Sequence, residues 1–257
     1  MNSTPEQLEE IKKCMDPVTG PEYFLRNFCM VQHPTRGSIL FEMQQHHLDY
    51  LHNIHSNQQS INMMSRQLGK TTMLAGYALW MATFTPACTI LLGSNRFAGA
   101  KDIMQKVHFG YDNLLDYIKA KDAARRVDYI EFDNDARIMT RATAEDACRG
   151  MALTMIMLDE FAFVNDAVAH AFLSCVMPAL SNGGKIVIAS SFNTENTTFY
   201  KLWVEAVNKK NSFSPFEAIW DDDPTRDEQW ATQQRKYLGD SNFCREHLNC
   251  TLDLAEA

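Results

Sequence analysis

No CxxC pair, no HExxH arrangement and no apolar run long enough to cross a bilayer occurs in these 257 residues. Each absence removes a class of function. The seven cysteines (Cys14, Cys29, Cys88, Cys148, Cys175, Cys244, Cys250) are scattered without metal-ligand rhythm, several inside apolar runs, as expected of reduced, buried thiols. His46, His47, His52 and His55 cluster along one expected helix, but without cysteine partners they read as a solvated helix surface rather than a zinc site. The longest apolar stretch, "MLAGYALWMATF", falls short of the roughly 20 residues a spanning helix needs. The polar, mixed-charge start "MNSTPEQLEEIKKCMD" does not read as a secretory leader. No membrane partner is expected, and the cytosol is the default address. With a formal charge of −8, the chain has no bulk attraction to nucleic acid, so any DNA contact must use a local basic patch or a separate domain. No repeat, low-complexity tract or flexible linker divides it. An apolar content of 46% is ordinary for one sizeable core.

What is present is an alternation of strands and helices. A helix is expected over about 5–14, then an irregular stretch, then helical spacing in "ILFEMQQHHLDYLHNI". "INMM" (61–64) is a short buried strand, and a helix follows from Lys70 to about Phe84, stopped by Pro86. "TILLGSN" (89–95) is a second buried strand, with a helix expected over about 96–118. "VDYIEFDNDARIMTRA" alternates around "DNDA" as a hairpin does. "MIMLDE" (155–160) and "GGKIVIASS" (183–191) are further buried strands, with helices expected at about 165–180 and 197–207. This order implies an α/β fold with a parallel-rich sheet flanked by helices. The tail, with "FEAIW" and helices near 226–238 and 241–248, is expected to form a smaller subdomain.

Two stretches carry chemistry. "SRQLGKTT", Ser65 to Thr72, ends like a phosphate-binding loop, although Met64 stands where the usual opening glycine belongs, five residues before Gly69. Gly69 lets backbone approach phosphate oxygens at a helix N-terminus. Lys70 would reach the β- and γ-phosphates and the Thr71 hydroxyl would ligand Mg²⁺; Ser65, Arg66, Gln67, Leu68 and Thr72 complete the loop. "MIMLDE" delivers two carboxylates at a strand's C-terminal end, where open parallel sheets bind ligands. Because side chains alternate, the two acids suit different roles, Asp159 for Mg²⁺ and Glu160 for orienting and deprotonating water. "TILLGSN", falling between loop and acid strand, fits the additional-strand, catalytic-glutamate (RecA-like) branch of P-loop NTPases.

These residues resemble the ATPase domain of the tailed-phage terminase large subunit, the motor that packages viral DNA into a preformed capsid. "SRQLGKTT" is similar to the variant loop of T-even-type members, where the opening glycine is also missing. The resemblance implies an adenine-reading glutamine in "FEMQQHHLDYL", with Gln44 favoured over Gln45, since an amide both donates and accepts. It implies an arginine finger: Arg149, in "ATAEDACRGMALTMIMLDEFAFV", acting across a subunit boundary, or Arg66 acting in cis. It implies a coupling segment in "KIVIASSFNTENTTFYKLW", with Ser190, Ser191 and Asn193, although Ala189 stands where the T-even pattern has a third hydroxyl. "FEAIWDDDPTRDEQWATQQRKYLGDSNFCREHLNC", with Trp220, Arg226, Asp227 and Glu246, resembles the family's closing stretch.

The resemblance therefore implies one ATPase domain over 1–257, with a core at about 39–212, a lid formed by about 1–38 plus 213–257, and the family's C-terminal nuclease domain absent. Its expected chemistry is Mg²⁺-dependent ATP hydrolysis driving double-stranded DNA into a procapsid. Expected partners are DNA, a portal protein, a small terminase subunit and further copies in a ring, at the portal vertex in the host cytoplasm. Two other readings share some features: the first half of a superfamily-2-type helicase, and a nucleotide-sensing assembly module without turnover. Against the first, no DEAD or DEAH tetrad occurs; against the second, no catalytic part is missing.

Overall fold

The computed structural model describes residues 3–144, 147–148, 150–180 and 183–251. Two helices open the chain: α1 (Pro5–Cys14), held at its start by a Thr4/Gln7 capping box, and α2 (Gly20–Asn27). The stretch expected to be irregular then forms a small antiparallel hairpin, β1 (Met30–His33) with β2 (Gly37–Leu40). It escapes a periodicity reading because each strand has only four residues and none of them is fully buried. Next come α3 (Gln45–Ser56), β3 (Gln59–Met64), α4 (Lys70–Phe84), β4 (Thr89–Ser94) and α5 (Phe97–Asp112). A three-stranded meander follows, β5 (Asp122–Arg126), β6 (Tyr129–Phe132) and β7 (Arg137–Ala142). β5 lies where the helix expected over 96–118 was followed by nothing; its polar sequence "DAARR" gives no strand signal. The chain ends with β8 (Met155–Asp159), α6 (Asp166–Ala179), β9 (Lys185–Ser190), α7 (Thr198–Val207), β10 (Ser214–Ala218), α8 (Glu228–Leu238) and α9 (Asp240–His247).

Eight strands form one sheet in the order β10-β3-β9-β8-β4-β7-β6-β5, parallel from β10 to β7 and antiparallel in the meander. The strand separating the loop strand β3 from the acidic strand β8 is thus β9, not "TILLGSN", which is β4 on the far side of β8. Order along the chain and order across the sheet differ because right-handed crossovers skip positions. The fold remains the additional-strand type, with β9 as the inserted strand.

Alternation along the strands divides the core into two layers. Ile90 and Leu92, Met155 and Met157, Val187 and Ala189 face the layer that also holds α2, α3, α4 and α5 residues. Leu91, Ile156, Leu158, Ile186 and Ile188 face the layer with α6 and α7. Burying each large apolar side chain contributes about 1.5–3 kcal/mol. α4 is apolar around most of its circumference and is correspondingly the most enclosed helix, with Met73, Leu74, Tyr77, Ala78 and Leu79 at 1% exposure or less. The Trp80 indole N–H donates to the Cys14 carbonyl at 2.8 Å, tying α1 onto it.

Phe24 and Leu25 of α2 belong to the main core cluster, and β10 is an edge strand paired with β3. The segment with its own small core is about 220–251, built on Trp220, Ala231 and Phe243 with Trp230 and Leu248. β10 carries a proline, Pro215, and a charge, Glu217, both of which an edge strand tolerates.

Candidate functional site

β3 delivers the loop and β8 the acids, two positions apart across the sheet. Met64, at the place of the missing glycine, is still strand: it is in register with Ala218 and fully buried. The left-handed conformations that turn the loop fall later, at Gln67 (φ 63°) and Gly69 (φ 77°). No glycine is needed at 64 because no positive φ is taken there. At Gly69 one is required twice over: besides its φ, an added Cβ would stand 2.5 Å from His47 Nε2.

α4 opens at Lys70, directly after the loop, so its unpaired amides and positive dipole end point into the cleft. Lys70 Nζ is 2.7 Å from Glu160 Oε1, and the lysine side chain is 7% exposed. The Thr71 hydroxyl donates to Asp159 Oδ2 at 2.6 Å. Strict alternation would send Asp159 and Glu160 to opposite faces. Asp159 keeps the α4 side, in line with Met155 and Met157, while Glu160 adopts a left-handed backbone, φ 54°, and reaches Lys70 as well. A non-glycine residue held there costs of order 1 kcal/mol or more, a strain typical of functional sites.

Asp159 is buried, and burial pushes its carboxyl above the usual range, opposed by the nearby charge of Lys70. Among the described residues its oxygens meet only the Thr71 hydroxyl and the Glu160 amide, the latter 3.1 Å away. A buried carboxylate beside a threonine hydroxyl is a pair of hard oxygen donors, which fits Mg²⁺ completed by phosphate oxygens and water. The residues therefore suit that ion.

Ser190 and Ser191, both fully buried, grip the segment that carries Glu160. The Ala162 N–H donates to Ser190 Oγ at 3.1 Å, Asn193 Nδ2 donates to the Ala162 carbonyl at 3.0 Å, and the Ser191 hydroxyl reaches Glu160 Oε2 at 3.4 Å. Ala189 is buried against the α4-side core instead.

The loop's outer side is held by groups the sequence reading left unassigned. Arg226 donates from Nη2 to the Gln67 carbonyl at 2.8 Å, and the Arg66 N–H donates to the Glu246 carbonyl at 3.0 Å. Arg66 Nε is 2.5 Å from Glu246 Oε2, and its guanidinium lies 5.9 Å from the Phe163 ring. The resemblance singled out Arg226 and Glu246 without giving them a role.

The histidines of α3 are not a solvated surface. His46 and His47 are buried, and only His52 of the four is exposed. His47 Nδ1 accepts from the Gln44 N–H at 2.9 Å, so the proton sits on Nε2, which donates to the Leu68 carbonyl at 3.0 Å. Burial, with the neighbouring His46, lowers its pKa to about 4. Gln44 is thus joined to the loop through one neutral imidazole. Gln45 is exposed and its side-chain amide donates to Asp49, whereas Gln44 is half-buried at the start of α3. Arg149 lies outside the described residues. Thr72 lines the loop cleft, together with Lys106 from α5, which sequence reading did not flag.

The family model described as terminase large subunit, T4likevirus-type, N-terminal, matches residues 61–250. Among solved structures, the large terminase ATPase domain of Thermus phage P74-26 aligns with TM-score 0.65 at 20% identity, covering 82% of this chain and 95% of that one. The HK97 bacteriophage large terminase aligns with TM-score 0.70 at 16% identity, over 89% of this chain and 54% of that one. The large terminase of the thermophilic bacteriophage D6E, in complex with ADP, aligns with TM-score 0.63 at 12% identity, over 80% and 53%. The chain spans about half the length of the HK97 and D6E proteins.

Proposed function

The chain belongs to the T4-like-virus-type terminase large subunit family, matching its N-terminal region, and on that premise we propose that it hydrolyses ATP with Mg²⁺ at the cleft between loop 65–72 and Asp159-Glu160, driving viral double-stranded DNA into a procapsid. The observation that carries this reading is the convergence of Lys70, Thr71, Asp159 and Glu160 through contacts of 2.7 and 2.6 Å.

In this reading the loop amides and Lys70 bind the polyphosphate, and Gln44 reads the adenine edge. Asp159 and Thr71 hold Mg²⁺, which when bound supplies charge neutralisation at the phosphates. Lys70 exchanges Glu160 for phosphate oxygens, and the freed carboxylate takes a proton from the attacking water. The water oxygen bonds to the γ-phosphorus as the bond to the bridging oxygen breaks, leaving ADP and inorganic phosphate. Ser190, Ser191 and Asn193, by holding the turn after Glu160, pass the change at the carboxylate to β9. Arg226 and Glu246 pass the change at the loop to the lid.

We further propose that Arg149 or Arg66 supplies the arginine finger. DNA, portal protein, small subunit and further copies of the chain are the partners of the working motor, at the portal vertex in the host cytoplasm. Specific ATPase activity measured against protein concentration tests the finger. Activity per molecule that rises with concentration, and no longer rises in Arg149→Ala, supports a finger in trans; flat activity that is unaffected by Arg149→Ala leaves Arg66. The absence of Mg²⁺-dependent ATP turnover under all conditions would overturn the reading.

A further inference from the structure

Three cavities meet behind and beside the loop. One runs along the loop from Ser65 to Thr72 and reaches Glu160. A second lies on the acid side, against Ser94, Asn95, Asp159 and Glu160. A third, of about 370 Å³, is enclosed by β1, α4 and α5. The first two share only Thr71, Glu160 and Lys106. Lys106 is the one residue that lines all three.

The shared junction is where a terminal phosphate, next to the proposed base and the metal-side hydroxyl, has to sit. Charged groups crowd around it, and Arg96 and Asp102 also line the acid-side cavity. Lys70 is ion-paired with Glu160, and Asp159 adds a second carboxyl on the same side. Lys106 comes from the opposite wall, on α5. It makes no ion pair or hydrogen bond among the described residues, even with Asp102 one turn earlier on the same helix. A flexible lysine with water on one side and a cleft on the other is a mobile point charge with three donors. The third cavity gives its stem room to withdraw, because Ala75, Gly76 and Gly110 keep the walls there small.

We propose that Lys106 is a second phosphate-binding cation of this site, contacting the terminal phosphate of a nucleoside triphosphate from the wall opposite the loop and so distinguishing triphosphate from diphosphate. The proposal rests on the ATPase reading above. It differs from a purely structural role because α5 is anchored by Ile103, Met104 and Val107, all at 2% exposure or less, and not by Lys106.

The test is titration calorimetry of ATPγS and of ADP, each with Mg²⁺, into the native chain and into Lys106→Ala, Lys106→Arg and the same-helix control Lys101→Ala. A charged hydrogen bond to phosphate corresponds to about a tenfold affinity change. Lys106→Ala is expected to weaken ATPγS about tenfold while ADP changes less than about twofold. Lys106→Arg is expected to retain ATPγS binding within about threefold, and Lys101→Ala to match the native chain. If the native chain binds neither nucleotide, the ATPase reading fails and takes this proposal with it. If the native chain binds both, and Lys106→Ala weakens both equally or neither, only the assignment of Lys106 is overturned.

Discussion

Arg66 Nε lies 2.5 Å from Glu246 Oε2, so the second residue of the 65–72 loop is ion-paired to α9. The same guanidinium stands near Phe163, in the turn directly after Glu160. One side chain therefore joins the loop, α9 and the acidic strand's turn, and whatever displaces it is felt by all three.

Glu246→Gln removes the charge but keeps the shape of that contact. Arg66 is half-exposed, so the expected loss of stability is about 1 kcal/mol or less. Turnover is expected to fall about tenfold or more, because the arginine loses the anchor that orders it. Nucleotide affinity is expected to stay within about threefold. Steady-state ATPase and calorimetric binding on the same preparation check this, and turnover at the native level would contradict it.

Gly69→Ala places a methyl 2.5 Å from His47 Nε2 on a residue with φ 77°. The expected result is a stability loss of about 1–3 kcal/mol, with nucleotide binding lost, because the loop and the imidazole cannot both keep their places. Thermal melts with and without ATPγS measure both. A ligand-induced rise in melting temperature equal to that of the native chain would show that the loop tolerates the methyl.

His47 and His247 have pKa values lowered from 6.5 to about 4, first by burial, then by His46 in one case and by Arg226 and Arg66 in the other. The unfolded chain binds these protons near pH 6.5 and the folded chain only near 4. The stability they contribute is therefore complete above about 6.5 and is lost as pH falls toward 4. Each group adds a slope of up to about 1.4 kcal/mol per pH unit inside that window. Urea unfolding at several pH values is expected to show the slope, shallower by one group in His47→Gln. An identical slope in that variant would remove His47 from the account.

Much of this is legible in the sequence alone. The Lys70–Phe84 helix, the acidic strand and the loop follow from buried apolar runs and punctuation, both of which depend on neighbours in sequence. What was not legible depends on neighbours in space. β9 between β3 and β8 is a matter of crossover, and β10 joins the sheet despite a proline. His47 looked like a surface residue because the turn it clamps lies far along the chain. The role of Met64 was readable only in part: the missing glycine was noticed, but not that Gln67 takes a left-handed turn further on. Lys106 carries no motif, and only the meeting of three cavities marks it.

Asp159→Asn keeps an acceptor for the Thr71 hydroxyl and removes a buried charge whose protonation burial already favours. Folding stability is expected to hold or rise, since burying a neutral amide costs less than burying a carboxylate. The gain in triphosphate affinity on adding Mg²⁺ is expected to disappear. Binding titrations with Mg²⁺ and with a chelator check this; an undiminished Mg²⁺ effect would move the metal site elsewhere.

The most direct test of the central claim is ATP turnover and ATPγS binding in Glu160→Gln. The variant keeps the side-chain shape and a hydrogen bond toward Lys70 but cannot accept the proton of water. The account predicts triphosphate affinity within about threefold of native and turnover reduced by about a hundredfold or more. Turnover at the native level would show that Glu160 is not the base, and the mechanism argued from its contact with Lys70 would be wrong.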